Sequence, residues 1–263
     1  MKILLTTDLH SCSFWYEWLL DQAGSVDLIA IAGDLVEGFA PGLHTEEIRI
    51  VERCLGMITA AGCPVAVCSG NHELFLRKTI RIPEKLPTTL SRLGELLYLP
   101  IPEAPDHPLF IPDGGTRLVA AKEAKEESLI VTTIPYRIEV GEGTDIPGFH
   151  LWEEGRKLRE ETGCRWLVLH HEPPNNTRVG GNRGHFSVVR TIERFQPDFV
   201  ISGHLHDQPF LQGGAFCDRI GNTFCFNPGQ VHPKSSRMPN HIILDTTTGE
   251  GKWLHFWQEN YRP

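Results

Sequence analysis

The stretch MKILLTTDLH, residues 1–10, joins an aliphatic run to two polar side chains. The run predicts a buried strand over residues 2–7, because it is apolar at nearly every position. Asp8 and His10 follow it, and residues two positions apart on an extended chain point to the same side. Both are costly to bury without a partner, and both are metal ligands. The stretch therefore predicts either a strand that ends in solvent or one that ends at a site to which both residues contribute ligands.

Length and composition favour a folded protein. At 263 residues the chain can bury a full core, and we expect one domain over residues 1–263. Hydrophobic residues make up 40% of the sequence and charged residues 22%, which is typical of folded rather than disordered chains. The formal charge of -8 gives no general attraction for a nucleic-acid backbone. Nucleic acid is therefore not a favoured partner, although a local basic groove would still allow it.

The sequence carries no pattern typical of secretion or membrane insertion. Asp8 and His10 cut the first apolar run too short for a signal peptide, and no segment has the apolar length that crosses a bilayer. The seven cysteines are odd in number and contain no C-x-x-C pair, which favours free thiols, although Cys217 and Cys225 could face each other across a hairpin. We therefore expect a cytoplasmic protein without a membrane partner.

Apolar runs alternate with amphipathic stretches, which predicts an α/β fold. The predicted strands are residues 2–7, 27–32, 64–68, 166–169 and 198–202, and the predicted helices are 14–22, 45–61, 150–162 and 187–195. The segment 74–127 is less regular, and we expect a helix near 89–97 followed by short strands. Two hairpins with turns near 221–222 and near 249 suggest a second, partly antiparallel sheet.

Each of the five predicted strands is followed by aspartate, asparagine or histidine. These residues are Asp8 and His10, Asp34, Asn71 and His72, His170 and His171, and His204 and His206. A glycine precedes three of the five groups, where it lets the backbone turn sharply or approach a ligand closely. Ligands bind beyond the carboxyl ends of the strands in α/β sheets, so all five ends can converge on one crevice. A lone Asp34 or Asn71 would be a turn residue, but five coincidences favour a shared metal site.

The set D-x-H, G-D, G-N-H, H and G-H-x-H, spread over residues 8–206, resembles the calcineurin-like metallophosphoesterase family. The stretch CFNPGQVH is similar to the family's Asn-Pro-Gly turn near the site, with Gln230 where a serine is common. Two further residues depart from the family's pattern: Glu37, where an aspartate often follows G-D, and Glu73, which follows G-N-H. Neither belongs to the core ligand set. The resemblance implies a four-layer α/β/β/α sandwich with two mixed β-sheets.

The resemblance also implies a two-metal centre. By position, one metal would take Asp8, His10 and His206, the second would take Asn71, His170 and His204, and Asp34 would bridge both. Mixed imidazole, carboxylate and amide ligands suit manganese, iron, zinc or nickel better than magnesium. Because neighbours on a strand face opposite ways, only one of His170 and His171 can be a ligand. Relatives place the ligand where His170 falls, which leaves His171 either a supporting contact to a ligand or a role near the phosphate.

The implied reaction is hydrolysis of a phosphate ester, with a diester favoured over a monoester, by hydroxide activated at both metals. Asp34 would hold both metals, and Asn71 would help to hold the phosphate oxygens that do not leave. His72 resembles the family's proton donor to the leaving oxygen. The alternative for His72 is an outer hydrogen bond to a carboxylate. The substrate is expected to be a small phosphorylated or nucleotide-like molecule.

Basic residues near the predicted site are candidates for substrate binding. Arg183 and His185 lie in the Gly- and Asn-rich segment 173–186, and Arg77 and Lys78 follow G-N-H-E. A solvated loop explains them equally well. Three other functions stay open: an inactive metal-binding scaffold or interaction protein, a nuclease acting on DNA or RNA ends, and a metal-dependent hydrolase of some other bond. All ligand positions are filled, which argues against the first, and the short stretch after His206 leaves little room for the segment that such nucleases add.

Overall fold

The structure is a computed structural model, and it describes residues 1–38, 44–74, 108–124, 127–136, 146–230 and 236–255. The predicted helix near 89–97 lies outside these ranges, as do Arg77 and Lys78. Within them, no helix is long and apolar enough to cross a membrane.

Twelve strands and four complete α-helices occur in the described part of the chain, together with a helical turn over residues 71–74. The strands are β1 Lys2–Thr6, β2 Leu28–Ala32, β3 Val65–Cys68, β4 Phe110–Ile111, β5 Thr116–Ala120, β6 Ser128–Ile134, β7 Arg165–His170, β8 Phe199–Ile201, β9 Cys217–Ile220, β10 Thr223–Phe226, β11 His241–Asp245 and β12 Gly251–Leu254. The helices are α1 Ser13–Gln22, α2 His44–Ala60, α3 Phe149–Thr162 and α4 Phe186–Phe195. All five predicted strands are present, as are the four predicted helices that lie in the described ranges, and no boundary is shifted by more than one residue.

The strands form two six-stranded sheets. The first has the order β12-β11-β1-β2-β3-β4, and the second has the order β5-β6-β7-β8-β10-β9. In the first sheet β1, β2, β3 and β4 are parallel, and β11 and β12 are antiparallel to their neighbours. In the second sheet β6, β7, β8 and β10 are parallel, while β5 and β9 are antiparallel at the edges. Both sheets are therefore mixed.

Side chains on alternate positions of each sheet enter different apolar cores. In β2, Ile29 and Ile31 pack with residues of α1 and α2, while Ala30 and Ala32 face the second sheet. On the far side of the second sheet, a third core joins residues of β6, β7 and β8 to α3 and α4. The layers are thus helix, sheet, sheet and helix, which confirms the four-layer α/β/β/α sandwich. Burial on both faces explains why the strands are apolar almost throughout.

The two predicted hairpins are present, but they do not make up the second sheet by themselves. The β9-β10 hairpin joins the second sheet, and the β11-β12 hairpin extends the first. The sequence prediction also missed β6, although its run SLIVTTI is typical of a buried parallel strand. Cys217 pairs with Phe226 and Cys225 with Asp218, so the two thiols lie on opposite faces of the sheet. All seven cysteines are free.

Candidate metal centre

The strand ends that carry the predicted ligands lie at one edge of the sandwich. In the first sheet β1, β2 and β3 end together, because Thr6 pairs with Ile31 and Ile31 pairs with Val67. In the second sheet Leu169 of β7 pairs with Ile201 of β8. The polar residues that follow these strands therefore meet from both sheets, as expected for parallel strands.

The backbone at these strand ends turns through the left-handed region. Among the described residues, seven non-glycine residues have a positive φ, and five of them lie in the turns after β1, β2 and β8. These five are Asp8 (54°), His10 (44°), Ser11 (57°), Asp34 (50°) and His204 (65°). Each such residue costs about 1–3 kcal/mol, and this kind of strain concentrates at functional sites. The fold therefore holds the ligand-bearing backbone in conformations that the local sequence alone would not favour.

Two glycines make the close approach of the sheets at this edge possible. Gly33 has φ 87°, and a Cβ atom there would overlap the ring of His171. A Cβ atom at Gly203 would overlap the hydroxyl of Thr7 and the carboxylate of Asp8. Any larger side chain at either position would push the two sheets apart at the cluster.

One half of the cluster consists of Asp8, His10, Asp34 and His206. One ligand atom from each of the four lies within 4.8 Å of the others. The His206 Nε2 atom is 3.0 Å from Asp8 Oδ1 and 3.3 Å from His10 Nε2. Carboxylate and imidazole donors at this spacing fit a divalent transition metal.

The other half is arranged around the side chain of Asn71. Its Oδ1 atom is 2.7 Å from His204 Nδ1 and 3.1 Å from His171 Nε2. The same His171 Nε2 atom is 3.3 Å from Asp34 Oδ2. The Asp34 carboxylate therefore borders both halves of the cluster.

The structure brings His171 to the cluster, and not His170 as we predicted. On β7, Leu167 and Leu169 face the core between the sheets, whereas Val168 faces the helices. His170 continues the helix-facing row, and its Nδ1 atom contacts the carbonyl oxygen of Glu172 at 3.0 Å. His171 continues the inner row, and it is almost fully buried. The sequence does not show which of the two histidines faces the cluster. Both faces of β7 are apolar, so the alternation of side chains does not tell the inner face from the outer one.

The carboxylates and imidazoles of the cluster change each other's pKa. Burial alone would raise the pKa of Asp8 and Asp34, but His206 lowers that of Asp8 and His171 lowers that of Asp34. Burial would lower the pKa of His171, but the Asp34 and Asp8 carboxylates raise it to about 10. Burial would likewise lower the pKa of His206, but the Asp8 carboxylate raises it. A metal that binds these imidazoles must therefore displace protons, since only the neutral ring coordinates.

The unsatisfied groups of the cluster fit a metal centre. Among the described residues, His10 Nδ1 is buried without a hydrogen-bond partner, and the Glu37 carboxylate is 3.8 Å from it. Burial lowers the pKa of His10 and of His204, which favours the neutral imidazole that binds metals. Two imidazole nitrogens also share the single amide oxygen of Asn71. These residues together fit a metal site better than a network of hydrogen bonds.

His72 lies beside the Asp34 half of the cluster. Its Nδ1 atom contacts the carbonyl oxygen of Glu37, and its Nε2 atom is 3.8 Å from Asp34 Oδ2. The His72 backbone N–H donates to Asp34 Oδ1 at 2.9 Å. Its ring also contacts that of His10, with 4.4 Å between the centroids. The contact through Nδ1 aims Nε2 toward the cluster.

Glu73 supports the site in a way that the sequence did not suggest. Its carboxylate accepts backbone N–H groups from Asp34 at 3.1 Å, Val36 at 3.0 Å and Gly70 at 2.6 Å. Burial and the Asp34 charge raise the pKa of Glu73 to about 8. This residue therefore ties the turn after β2 to the turn after β3.

The Asn-Pro-Gly turn supports the histidines of the second sheet. The amide of Asn227 donates to the carbonyl oxygen of Leu205 at 3.2 Å. Gln230 donates from its backbone to the carbonyl oxygen of His206 at 3.0 Å, and from its side chain to that of Thr7 at 3.2 Å. Gln230, where the family commonly has serine, thus connects the G-H-x-H turn to the end of β1.

The two basic candidates for substrate binding make contacts within the protein. Arg183 pairs with Asp207, the residue after His206, at 2.6 Å. His185 is the N-cap residue of α4, where its Nδ1 atom accepts a hydrogen bond from the backbone N–H of Ser187 at 3.3 Å. The segment 173–186 is held by its own backbone hydrogen bonds, so it is an ordered loop.

Sequence reasoning missed Tyr136, which lies two residues beyond the end of β6. Its ring packs against those of His171 and His204. Its backbone N–H donates to the Ser69 hydroxyl at 2.8 Å, and the Ser69 N–H donates to Asp113 Oδ1 at 2.9 Å. Had β6 been predicted, the rule that site residues follow strand ends would have pointed to Tyr136.

Asp113→Asn is expected to remove part of the pH dependence of stability. Burial raises the pKa of Asp113 to about 7, although its hydrogen bonds with Ser69 oppose this. The folded state therefore binds a proton that the unfolded state releases near pH 4, so stability falls as pH rises toward about 7. In the wild type, this effect lowers the free energy of unfolding by up to about 4 kcal/mol as the pH rises. Asparagine retains the acceptor oxygen and carries no charge.

Urea unfolding of both proteins at about pH 5 and about pH 8 measures this effect. The variant should gain stability relative to the wild type at the higher pH. Asp21→Asn, at an exposed position on α1, serves as the control. An Asp113→Asn effect that is the same at both pH values would contradict the assignment.

The four-layer sandwich, with a cluster of histidine and aspartate side chains at one edge of its two sheets, defines a metallophosphoesterase-like fold. The sequence model of the calcineurin-like phosphoesterases matches residues 1–208. TT1561 of Thermus thermophilus is similar in structure, with 15% identity over 97% of this chain and 98% of that chain and a TM-score of 0.61. Purple acid phosphatase PPD1 from yellow lupin (Lupinus luteus) seeds is 12% identical over 96% of this chain and 52% of that chain, with a TM-score of 0.51. At these identities the likeness shows the fold alone.

The family match extends over most of the chain and includes every strand end of the cluster. This chain belongs to the calcineurin-like phosphoesterase family, and it is a hydrolase of phosphoester bonds. No curated protein sequence gives a significant match.

Proposed function

We propose that this protein hydrolyses phosphate esters with two divalent metal ions, and that it prefers diesters to monoesters. The observation that carries the proposal is the position of Asp34. Its carboxylate belongs to the group formed with Asp8, His10 and His206, and it is also 3.3 Å from His171. A carboxylate shared between two ligand groups offsets the repulsion between two cations, as two-metal hydrolysis requires.

The proposed ligands divide into two sets that share Asp34. The first is Asp8, His10 and His206, and the second is Asn71, His171 and His204. This ligand chemistry favours manganese, iron, zinc or nickel over magnesium. Metal ions bound there would lower the pKa of a bound water toward neutrality and offset the negative charge of the phosphate.

The protein's own groups would orient the ester and supply a proton. The Asn71 amide can donate from its nitrogen to a phosphate oxygen while its oxygen serves as a ligand. His72 would donate from Nε2 to the leaving oxygen, because its Nδ1 atom is held by the Glu37 carbonyl oxygen. Arg183 and His185 are candidates for contacts to distant parts of the substrate, for which their internal contacts would have to rearrange.

A small phosphorylated or nucleotide-like molecule is the proposed substrate, and the cytoplasm is the proposed location. Buried thiols at Cys63, Cys68 and Cys225, free in the structure, support a reducing compartment. Nucleic acid is a less favoured substrate, because the chain has a net charge of -8.

Asp34→Asn is expected to weaken both metal sites at once, since it removes the charge shared by the two ligand sets. Wild-type protein reconstituted with manganese should contain close to two ions per chain by elemental analysis, and the variant should contain fewer than one. Asp21→Asn changes an exposed aspartate of α1 in the same way and should retain both ions.

One ion per chain in the wild type would rule out the two-metal site. Two ions without hydrolysis of bis(p-nitrophenyl) phosphate or p-nitrophenyl phosphate would favour a metal-binding scaffold over an active enzyme.

A further inference from the structure

Tyr136 is a half-buried aromatic residue beside the cluster that has no role in the chemistry described above. Its ring centroid lies 5.7 Å from that of His171, with 75° between the planes, and 6.4 Å from that of His204. Both of these imidazoles contact the Asn71 amide oxygen. The ring of Tyr136 therefore borders the Asn71 half of the cluster and leaves part of its surface accessible.

The position of Tyr136 is linked to the turn that carries Asn71. Its backbone N–H donates to the hydroxyl of Ser69 at 2.8 Å, and Ser69 lies two residues before Asn71. The buried carboxylate of Asp113 accepts the Ser69 N–H at 2.9 Å. This chain of contacts joins the end of β6 in the second sheet to the end of β3 in the first. The ring is thus held at the site by the fold rather than by a loose surface loop.

His72 borders the other half of the cluster. Its ring centroid is 4.4 Å from that of His10, and its Nε2 atom is 3.8 Å from Asp34 Oδ2. In an in-line displacement the leaving oxygen lies opposite the attacking oxygen, and the remaining oxygens spread around phosphorus between them. If the leaving oxygen is near His72, an organic group on one of the remaining oxygens can extend toward Asn71 and Tyr136.

We propose that Tyr136 binds the organic group that stays on phosphorus when a diester is hydrolysed, an inference that rests on the proposed function. An aromatic ring binds apolar and aromatic groups by stacking and by edge contacts, and this binding depends little on the exact shape of the group. A monoester has only an oxygen at this position, so the ring contributes nothing to its binding. Tyr136 is therefore a specificity residue that favours diesters, and it is not a metal ligand.

The preference is measured with two substrates that share one leaving group. Bis(p-nitrophenyl) phosphate and p-nitrophenyl phosphate both release nitrophenolate, and only the diester keeps an organic group on phosphorus. Tyr136→Ala should lower kcat/KM for the diester about tenfold, mainly through KM, and change the monoester little. Tyr136→Phe keeps the ring and should keep the preference. A Tyr136→Phe variant that behaves like Tyr136→Ala would overturn the ring contact.

A binding measurement separates this inference from the proposed activity. Titration calorimetry of the manganese-loaded protein compares phenylphosphonate, which carries an organic group on phosphorus, with inorganic phosphate, which does not. Tyr136→Ala should weaken phenylphosphonate binding about tenfold and leave phosphate binding and metal content unchanged. Equal weakening of both anions, or loss of metal, would overturn the inference and leave the proposed function intact. A wild-type protein that binds neither anion and hydrolyses neither ester would overturn both.

Discussion

His171→Ala is expected to lose one of the two proposed metal ions and to lower kcat/KM for a phosphate diester by more than about 100-fold. The His171 Nε2 atom lies 3.3 Å from Asp34 Oδ2 and 3.1 Å from Asn71 Oδ1, where the two ligand sets meet. An outer contact to a metal ligand is typically worth about 10–100-fold in affinity or activity, and a ligand itself should be worth more. Elemental analysis and initial rates on bis(p-nitrophenyl) phosphate measure both effects.

His170→Ala is the matched control, since it removes the adjacent imidazole from the same strand end. The ring of His170 follows the helix-facing row of β7 and contacts the carbonyl oxygen of Glu172. This variant should keep both metal ions and most of the activity. Metal loss in His170→Ala, with two ions retained in His171→Ala, would show that the alternation along β7 has been assigned to the wrong faces.

His72→Asn is expected to slow the hydrolysis of an alkyl or nucleoside phosphate ester by about 10²–10⁴-fold, the usual contribution of a proton donor. The loss should be much smaller for a nitrophenyl ester, because nitrophenolate leaves without needing a proton and an alkoxide does not. The structure supports this role, because Nδ1 is held by the Glu37 carbonyl oxygen and Nε2 faces the cluster near Asp34. Rates on both types of ester and metal analysis of the variant provide the measurement.

Two other outcomes for His72→Asn would assign the residue differently. Equal rate losses on both types of ester would mean that His72 orients the phosphate or a ligand instead of donating a proton. Loss of metal would mean that it stabilises the Asp34 turn, to which its backbone N–H already donates.

Much of the site could be predicted because its ligands follow strands that are apolar nearly throughout. The order of the groups from Asp8 to His206 identified the family, and six of the seven predicted ligands are found in the cluster. The seventh prediction, His170, was wrong in its placement because β7 is apolar on both faces. Which face is the inner one depends on how the two sheets pack, and the sequence of a single strand does not contain that information.

The supporting contacts could not be predicted for a related reason. Glu73 accepts three backbone N–H groups from two different turns, and these donors come together only after β2 and β3 have paired. The Gln230 side chain donates to Thr7, which lies 223 residues earlier in the sequence. Tyr136, in contrast, could have been predicted. The run SLIVTTI before it is typical of a buried strand, and site residues follow the ends of such strands in this chain.

The proposed metal ligands come from both sheets, so the packing between the sheets affects how they bind a metal. Asp8, His10, Asp34 and Asn71 follow strands of the first sheet, and His171, His204 and His206 follow strands of the second. The distance between these two sets depends on the thickness of the apolar layer between the sheets, in which Ala32 and Cys68 pack opposite Leu169 and Ile201. Protein interiors are densely packed and transmit strain. Each proposed ligand set combines residues from both sheets, so side-chain volume in this layer sets the distances between the ligands within each set. Residues that touch no ligand would therefore affect how tightly a metal is bound.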